Sequence, residues 1–282
     1  MSRLAESLQL LHGGGGEGDE LVSVDAVRRA VWPTVCAALR GAQQAQPCTV
    51  GGAPRELLLT VHVALAPAGA AEACVTAHAC ALPAPRTSAV AAAVLGPPRT
   101  LPRAKASTWV AQRAPLEAAR PADCAETVLS CADSGTLLEG LVSNLFVVSR
   151  GPDGITELRT ASLRDGVLGG VARAAILRAA DALPGLRLCE EAPVPPPPGD
   201  DAAWTEAFTC NAARGVTPLH ELRWLPPLGS PAGAEPPRPP LRFAAAPGPV
   251  TAALAAALQE GLHAALSPDC ADCMSGSMVE YR

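Results

Sequence analysis

Side-chain amines are almost missing from this sequence: of its 22 Lys and Arg residues, only Lys105 is a lysine. A guanidinium keeps its proton at any physiological pH, so chemistry that needs an uncharged side-chain amine has one candidate. Aromatics are scarce too, at 3%, with three Phe, four Trp and one Tyr. Ala, Val and Leu must therefore fill the core. No run of eighteen apolar residues occurs, which excludes a sequence signal for a membrane-spanning helix. Basic residues form no patch and the formal net charge is -5, which argues against nucleic acid as a partner. The opening MSRLAESLQLLHGGGG lacks the basic start, apolar core and cleavage site of a secretory signal. The ten cysteines are therefore expected to be reduced and to act as small apolar residues. Cys270 and Cys273 form a lone CxxC with no second pair or His partner, so no metal is expected.

What is present is enough for one large or two modest domains, since 282 residues can bury a real core. Leu4, Leu8 and Leu11 have helical spacing, and Gly13–Gly16 would end that helix. Ser23 is a plausible N-cap for a second helix over 23–40, with Val27, Val31, Val35 and Leu39 as its apolar stripe and Pro33 interrupting it. Leu- and Val-rich runs predict strands at 56–66, 73–81 and 90–95. The proline-punctuated stretch GPPRTLPRAKAST then separates two α/β lobes near residue 100. Beyond it the pattern predicts a helix over 107–119, a meander of strands at 125–131, 136–139 and 144–148, and a helix over 169–182. A proline-rich linker at 193–199, a strand at 206–210 and a loop-rich stretch over 225–249 follow. A last helix covers 249–265, and the tail is loose. The expected domains are 1–100, 101–267 and a tail over 268–282.

Three features carry chemistry, and each has a plainer reading. Lys105 follows the interlobe segment and precedes a helix, a suitable place for a Schiff-base lysine once burial or a nearby cation lowers its pKa. It could equally be one surface lysine left by arginine-rich coding. Glu139 lies in LLEGLVSNLFVV between an apolar strand and a glycine turn, where full burial needs a partner. A protonated pyridine nitrogen is one such partner; a solvent-facing hairpin glutamate is the alternative. Asn144 opens the next strand, where an amide can fix loop backbone. Gly169-Gly170-Val171-Ala172 opens a helix, whose first N–H groups and dipole suit an anion. A second candidate is the polar loop Thr209-Cys210-Asn211-Ala212-Ala213. Ordinary helix starts and turns read the same way.

Taken in order, Lys105, then LEGxxSNLF, then LxGVxR at a helix start, then TCNAARGVTPL, resemble the class IV aminotransferases. That group covers branched-chain aminotransferases, D-amino-acid aminotransferases and aminodeoxychorismate lyases. The resemblance implies an α/β (α+β), two-domain fold of the D-amino-acid aminotransferase type, with pyridoxal 5'-phosphate (PLP) in the cleft between domains. It implies that Lys105 carries the cofactor and moves the substrate α-proton, and that Glu139 pairs with the pyridine nitrogen. Gly170, Val171 and Ala172 would hold the phosphate through backbone groups, Asn211 would stand in the second phosphate loop, and Asn144 would brace the loop behind Glu139. It also implies a homodimer and an amino acid with a 2-oxo acid as substrates.

The sequence departs from the family pattern in places. The first strands and a phosphate-gripping arginine are expected to be missing, because Met1–Ser7 resembles the inside of the family's HLxRL helix. Ala172 stands where threonine is usual, and Trp109 or Val110 where a tyrosine follows the lysine. Arg113, two helical turns from Lys105, reads as a surface arginine rather than a substrate partner. The expected activity is transamination, with a PLP lyase or a truncated non-catalytic relative as alternatives. The expected location is the cytoplasm, or a plastid or mitochondrion if a transit peptide precedes this segment.

Overall fold

The computed structural model describes residues 2–11, 23–45, 49–50, 53–54, 56–64, 74–84, 86, 88–151, 153–200, 203–231, 233–244 and 246–264. The Gly13–Gly16 run, Cys270, Cys273 and the tail lie outside them. The chain divides into two compact units. One holds Met1–Ala84 with Leu101–Ala111; the other holds Pro85–Thr100 with Gln112–Arg282. The chain therefore crosses between units more than once around residue 100.

The first unit contains helices α1 (Ser2–Leu11) and α2 (Val24–Ala45) and strands β1 (Thr49–Val50), β2 (Ala53–Pro54), β3 (Leu57–Ala64) and β4 (Cys74–Ala81). Ser23 caps α2 as its position predicts, its Oγ accepting from the Ala26 N–H at 3.1 Å. The helix runs on through Pro33. The stripe Val27, Val31 and Val35 is buried with Ala5 and Leu8 of α1. Leu59, Val61 and Val63 of β3 pack on this cluster. Thr60, His62 and Ala64 alternate to the exposed face, the period of two expected of a half-buried strand. β3 and β4 pair antiparallel from Leu57↔Ala81 to Ala64↔Cys74.

Helix α3 (Thr108–Ala119) straddles the division, its residues up to Ala111 grouping with the first unit. The second unit opens with β5 (Val90–Val94). Its later elements are β6 (Cys124–Ser130), β7 (Leu137–Gly140), β8 (Asn144–Arg150), β9 (Thr156–Thr160), α4 (Val171–Asp181), β10 (Leu186–Glu190), β11 (Trp204–Asn211), β12 (Gly215–Trp224), β13 (Leu241–Arg242) and α5 (Pro249–Ala264). The sheet order is β10-β9-β8-β11-β12-β5-β6-β7, and β7 also pairs with β8. Six strands, β8-β11-β12-β5-β6-β7, thus close on themselves and leave no free edge between them.

Both faces of this ring are buried. Leu145 and Val147 of β8 join Val94, Val128, Leu219, Leu222 and Trp224 in one cluster. The alternate residues Phe146 and Val148 join Phe208, Ile176 of α4 and Leu254 of α5 in another. The Phe146 and Phe208 rings stack with centroids 5.0 Å apart. Helix α5 starts on a carboxylate: Glu206 of β11 accepts from the N–H groups of Val250 at 3.1 Å and Thr251 at 2.8 Å.

Among the strands longer than two residues, three escape the sequence pattern: β9, β10 and β12. The stretch from Gly215 to Leu219, for which the pattern predicts no strand, is the first half of the ten-residue strand β12. Pro218 sits there without disrupting the sheet because β12 begins to pair with β5 only at Leu219↔Val90. Its missing N–H therefore falls where just one neighbouring strand is present. The predicted loop from Thr209 shrinks to a turn, since Thr209–Asn211 complete β11.

Candidate cofactor site

Three strand ends and one helix start converge in the second unit. Glu139 of β7 is cross-strand partner to Asn144 of β8, and Asn144 is partner to Cys210 of β11. A tight hairpin makes this possible: the Gly140 N–H donates to the Ser143 carbonyl at 2.8 Å. The glutamate thus arrives at the end of an apolar strand, 2% exposed.

Its carboxyl is met by donors. The Leu168 N–H donates to Oε2 at 2.9 Å and the Asn144 amide to the same oxygen at 3.3 Å. Arg99, itself buried, approaches Oε1 at 3.4 Å. All three of these groups donate, the surroundings that suit a carboxylate rather than a carboxylic acid. The alternative of a solvent-facing hairpin glutamate therefore does not describe Glu139.

Asn144 links the acid to the helix start. Besides Glu139, its amide donates to the Leu168 carbonyl at 2.9 Å. Leu168 precedes Gly169 and Gly170, and Gly170 is the N-cap of α4, with φ -65° and ψ 140°. Gly170, having no side chain, supplies no cap to this helix. Its first N–H groups, on Val171 and Ala172, have no intrahelical partner by construction, and Val171 is 64% exposed. Gly170 is needed for space rather than for backbone freedom. A Cβ built there would lie 2.2 Å from the Asn144 Oδ1. Acid and amide therefore form one hydrogen-bonded unit with Leu168, two residues ahead of the α4 N-cap.

The other predicted residues fall as follows. The Asn211 Oδ1 accepts from the N–H groups of Ala213 at 3.0 Å and Arg214 at 2.8 Å, so it shapes the turn between β11 and β12. Cys210 beside it is buried, and burial pushes its thiol up to about 12; it stays protonated and apolar. Lys105 belongs to the first unit, where it is exposed and follows the fully buried Ala104. Its backbone N–H donates to the Ser7 Oγ at 3.1 Å, which fixes the segment to α1. Arg113 pairs with Glu117 one helical turn on, at 3.0 Å.

Sequence reasoning missed Arg99, Glu126 and Ser143. Arg99 lies in the stretch taken as an interlobe connection, and its only sequence signal is a charge two prolines after the apolar run VAAAVLG. Glu126 is buried in β6 with its Oε2 accepting from the Ser143 Oγ at 2.7 Å. Among the described residues, no group of three or more His, Cys, Asp or Glu side chains could hold a metal, and no helix is long and apolar enough to cross a membrane.

Residues 1–222 match the model of the amino-transferase class IV family. This chain belongs to that family. Class IV aminotransferases are PLP-dependent enzymes, and the start of α4, with the buried Glu139 carboxyl bonded to Leu168 just ahead of it, fits that cofactor's phosphate and pyridine nitrogen. Among solved structures, the chain resembles a hypothetical aminotransferase from Mycobacterium tuberculosis in its PLP-bound form. The TM-score is 0.60 at 19% identity, covering 93% of this chain and 82% of the other. It also resembles a branched-chain amino acid aminotransferase from Thermobaculum terrenum in its PLP form. There the TM-score is 0.59 at 18% identity, covering 93% and 76%. Against a putative branched-chain amino acid aminotransferase from Thermotoga maritima the TM-score is 0.46 at 22% identity, covering 66% of this chain and 60% of that one. At these identities the likeness is one of fold. No curated protein matches the sequence.

Proposed function

We propose that this class IV family member is a PLP-dependent aminotransferase, moving an amino group between an amino acid and a 2-oxo acid. The observation that carries the reading is the Glu139–Leu168–Asn144 network, which joins a buried carboxylate to the uncapped start of α4. PLP, when bound, supplies a ring that draws electrons from the substrate's α-carbon. In this reading Glu139 accepts a hydrogen bond from the ring nitrogen and keeps it protonated. Arg99 and the Leu168 N–H hold the Glu139 carboxyl in place. The N–H groups of Val171 and Ala172, with Gly170 giving close approach, bind the phosphate. Asn144 fixes acid and helix start to each other, and Asn211 sets the neighbouring turn.

Lys105 supplies the amine. Anchored through Ala104 and Ser7, it would hold the cofactor covalently and, once released by the substrate, take the α-proton. We propose a homodimer as the working form, as the sequence resemblance implies. The cytoplasm is the proposed location, a reducing compartment that suits the exposed thiols of Cys74 and Cys80.

The test is direct. Added PLP should give the purified protein a visible or near-ultraviolet band. Borohydride reduction followed by peptide mapping should then place the cofactor's mass on the peptide carrying Lys105. Lys105→Ala should abolish that adduct. Protein that acquires no band, or an adduct that maps elsewhere, overturns the reading.

A further inference from the structure

A second buried carboxyl lies under the hairpin that carries Glu139. Glu126 belongs to β6, the strand next to β7, and is 7% exposed. Its Oε1 accepts from the Thr127 N–H at 2.9 Å and its Oε2 from the Ser143 Oγ at 2.7 Å. Ser143 closes the turn that starts at Gly140. The fit is tight: a Cβ built on Gly140 would lie 2.2 Å from the Ser143 Oγ and 2.8 Å from the Glu126 carboxyl carbon. The turn is tied to β6 a second time, by the Leu141 N–H donating to the Thr127 carbonyl at 3.0 Å. A carboxyl in that place leaves room for glycine only, and it fixes the two residues, Glu139 and Asn144, that flank the turn.

We propose that Glu126 is a positioning residue for the Glu139 acid, holding the Gly140–Ser143 turn from beneath through the Ser143 hydroxyl. It does not touch the cofactor. Its relevance to PLP binding rests on the function proposed above, whereas its hold on the turn does not. The surroundings explain why a glutamate can sit there. Burial pushes its carboxyl above the ordinary glutamate range, against the lowering effect of the Ser143 hydroxyl, the Thr127 N–H, the Arg120 charge and the Leu141 N–H, in that order. Arg120 is the charged group that bears on it. A neutral carboxyl costs less to bury than an anion, and it still accepts the hydroxyl's hydrogen bond.

Three variants test this: Glu126→Gln, Glu126→Leu and Ser143→Ala, each compared with the parent. Amide hydrogen exchange on the cofactor-free protein comes first. Glu126→Leu and Ser143→Ala should speed exchange across residues 139–144 at least tenfold, while Glu126→Gln, which keeps a neutral acceptor, stays within about twofold of the parent. Glu126→Gln is the guard against misfolding, being nearly the same shape. Melting against pH adds a readout that mere space-filling would not move. Because the folded-state pKa is raised, the associated stability is fully present below the unfolded value of about 4.5 and is lost as pH rises through the folded one. The parent should therefore lose melting temperature relative to Glu126→Gln as pH rises from 4.5. PLP titration comes last: Kd should rise about tenfold in Glu126→Leu and return to near the parent's value in Glu126→Gln. Unchanged exchange over 139–144 in Glu126→Leu and Ser143→Ala overturns the inference, whatever PLP does. Faster exchange in Glu126→Leu and Ser143→Ala, with a parent that binds no PLP, leaves the positioning role standing and removes the proposed function instead.

Discussion

Glu139 and Glu157 are both buried glutamates on strands of the second unit, yet the groups around them differ in kind. Glu157 takes its bonds from side chains that reach in from the surface. Arg187 donates to its Oε1 from Nε at 3.0 Å, Arg159 donates to its Oε2 from Nε at 2.9 Å, and both guanidiniums are more exposed than the acid. Arg187 also grips Asp153, so the set ties β10 to β9 at the sheet's edge. Burial pushes the Glu157 carboxyl up, but the two arginines outweigh it and hold it below the ordinary range. Glu139 instead takes one bond from a backbone N–H, one from a buried amide and one from a buried arginine. Its partners belong to the interior and lead to an uncapped helix start. Exposure alone does not separate the two acids. What separates them is where their partners lead: around Glu157 to the surface and no further, around Glu139 to the start of α4.

The largest effect should break this pair apart. Glu139→Gln removes the charge opposite Arg99 and the acceptor for the ring nitrogen. Amino-transfer activity should fall by about a hundredfold or more, and stability should fall as well, because the buried Arg99–Glu139 ion pair is lost. Glu157→Gln should spare activity and PLP uptake. Its effect should appear in melts against pH. A depressed folded-state pKa means that the stability is present above the unfolded value of about 4.5 and is lost as pH falls through the folded one. The variant should therefore melt lower than the parent at neutral pH, with the gap closing in acid. Half-reactions on an amino-acid panel, with calorimetry from pH 3 to 7, read both arms. A Glu139→Gln protein with parental activity would show that the two acids are of one kind.

A middle-sized effect sharpens the link between acid and helix start. Alanine is comfortable at the φ and ψ of Gly170, so any penalty in Gly170→Ala must come from the Asn144 Oδ1 and not from backbone strain. PLP affinity should drop about tenfold, near 1.4 kcal/mol. A cycle with Asn144→Ala should give a coupling of about 0.5–3 kcal/mol between the positions. Additive effects would mean that the amide and the glycine act separately.

Much of this was legible in the sequence because it rests on local rules. The Val27, Val31, Val35 stripe, the Ser23 cap and the LEG hairpin are spacing patterns, and each matches an observed element. β12 was not legible, because its burial on both faces erases alternation and Pro218 speaks against a strand. The family resemblance named Glu139, Asn144 and the α4 start as candidates; in the structure Glu139 and Asn144 bond to each other and to Leu168, two residues before the Gly170 N-cap. Arg99 and Glu126 remained hidden for another reason. Each matters through a side chain 40 or 17 residues away, and no periodicity reports such a contact.

The smallest effect concerns an ion pair with no path to the acid's network. Arg113 pairs with Glu117 across one turn of α3, with side-chain exposures of 23% and 38%. Such i,i+4 pairs stabilise by about 0.3–0.5 kcal/mol in water. Arg113→Ala should therefore shift the melting temperature by a degree or two at most. It should leave kcat and KM for both substrates within about twofold, since a lost carboxylate grip would cost about 1.5–3 kcal/mol. Raising the salt concentration should shrink the stability difference further, because partly exposed charges are screened. A tenfold rise in KM for the amino acid or the oxo acid, with kcat unchanged, would instead make Arg113 a substrate contact. The contrast drawn between Glu139 and Glu157 would then fail at its weaker end, because an arginine with an ordinary surface partner would be binding substrate.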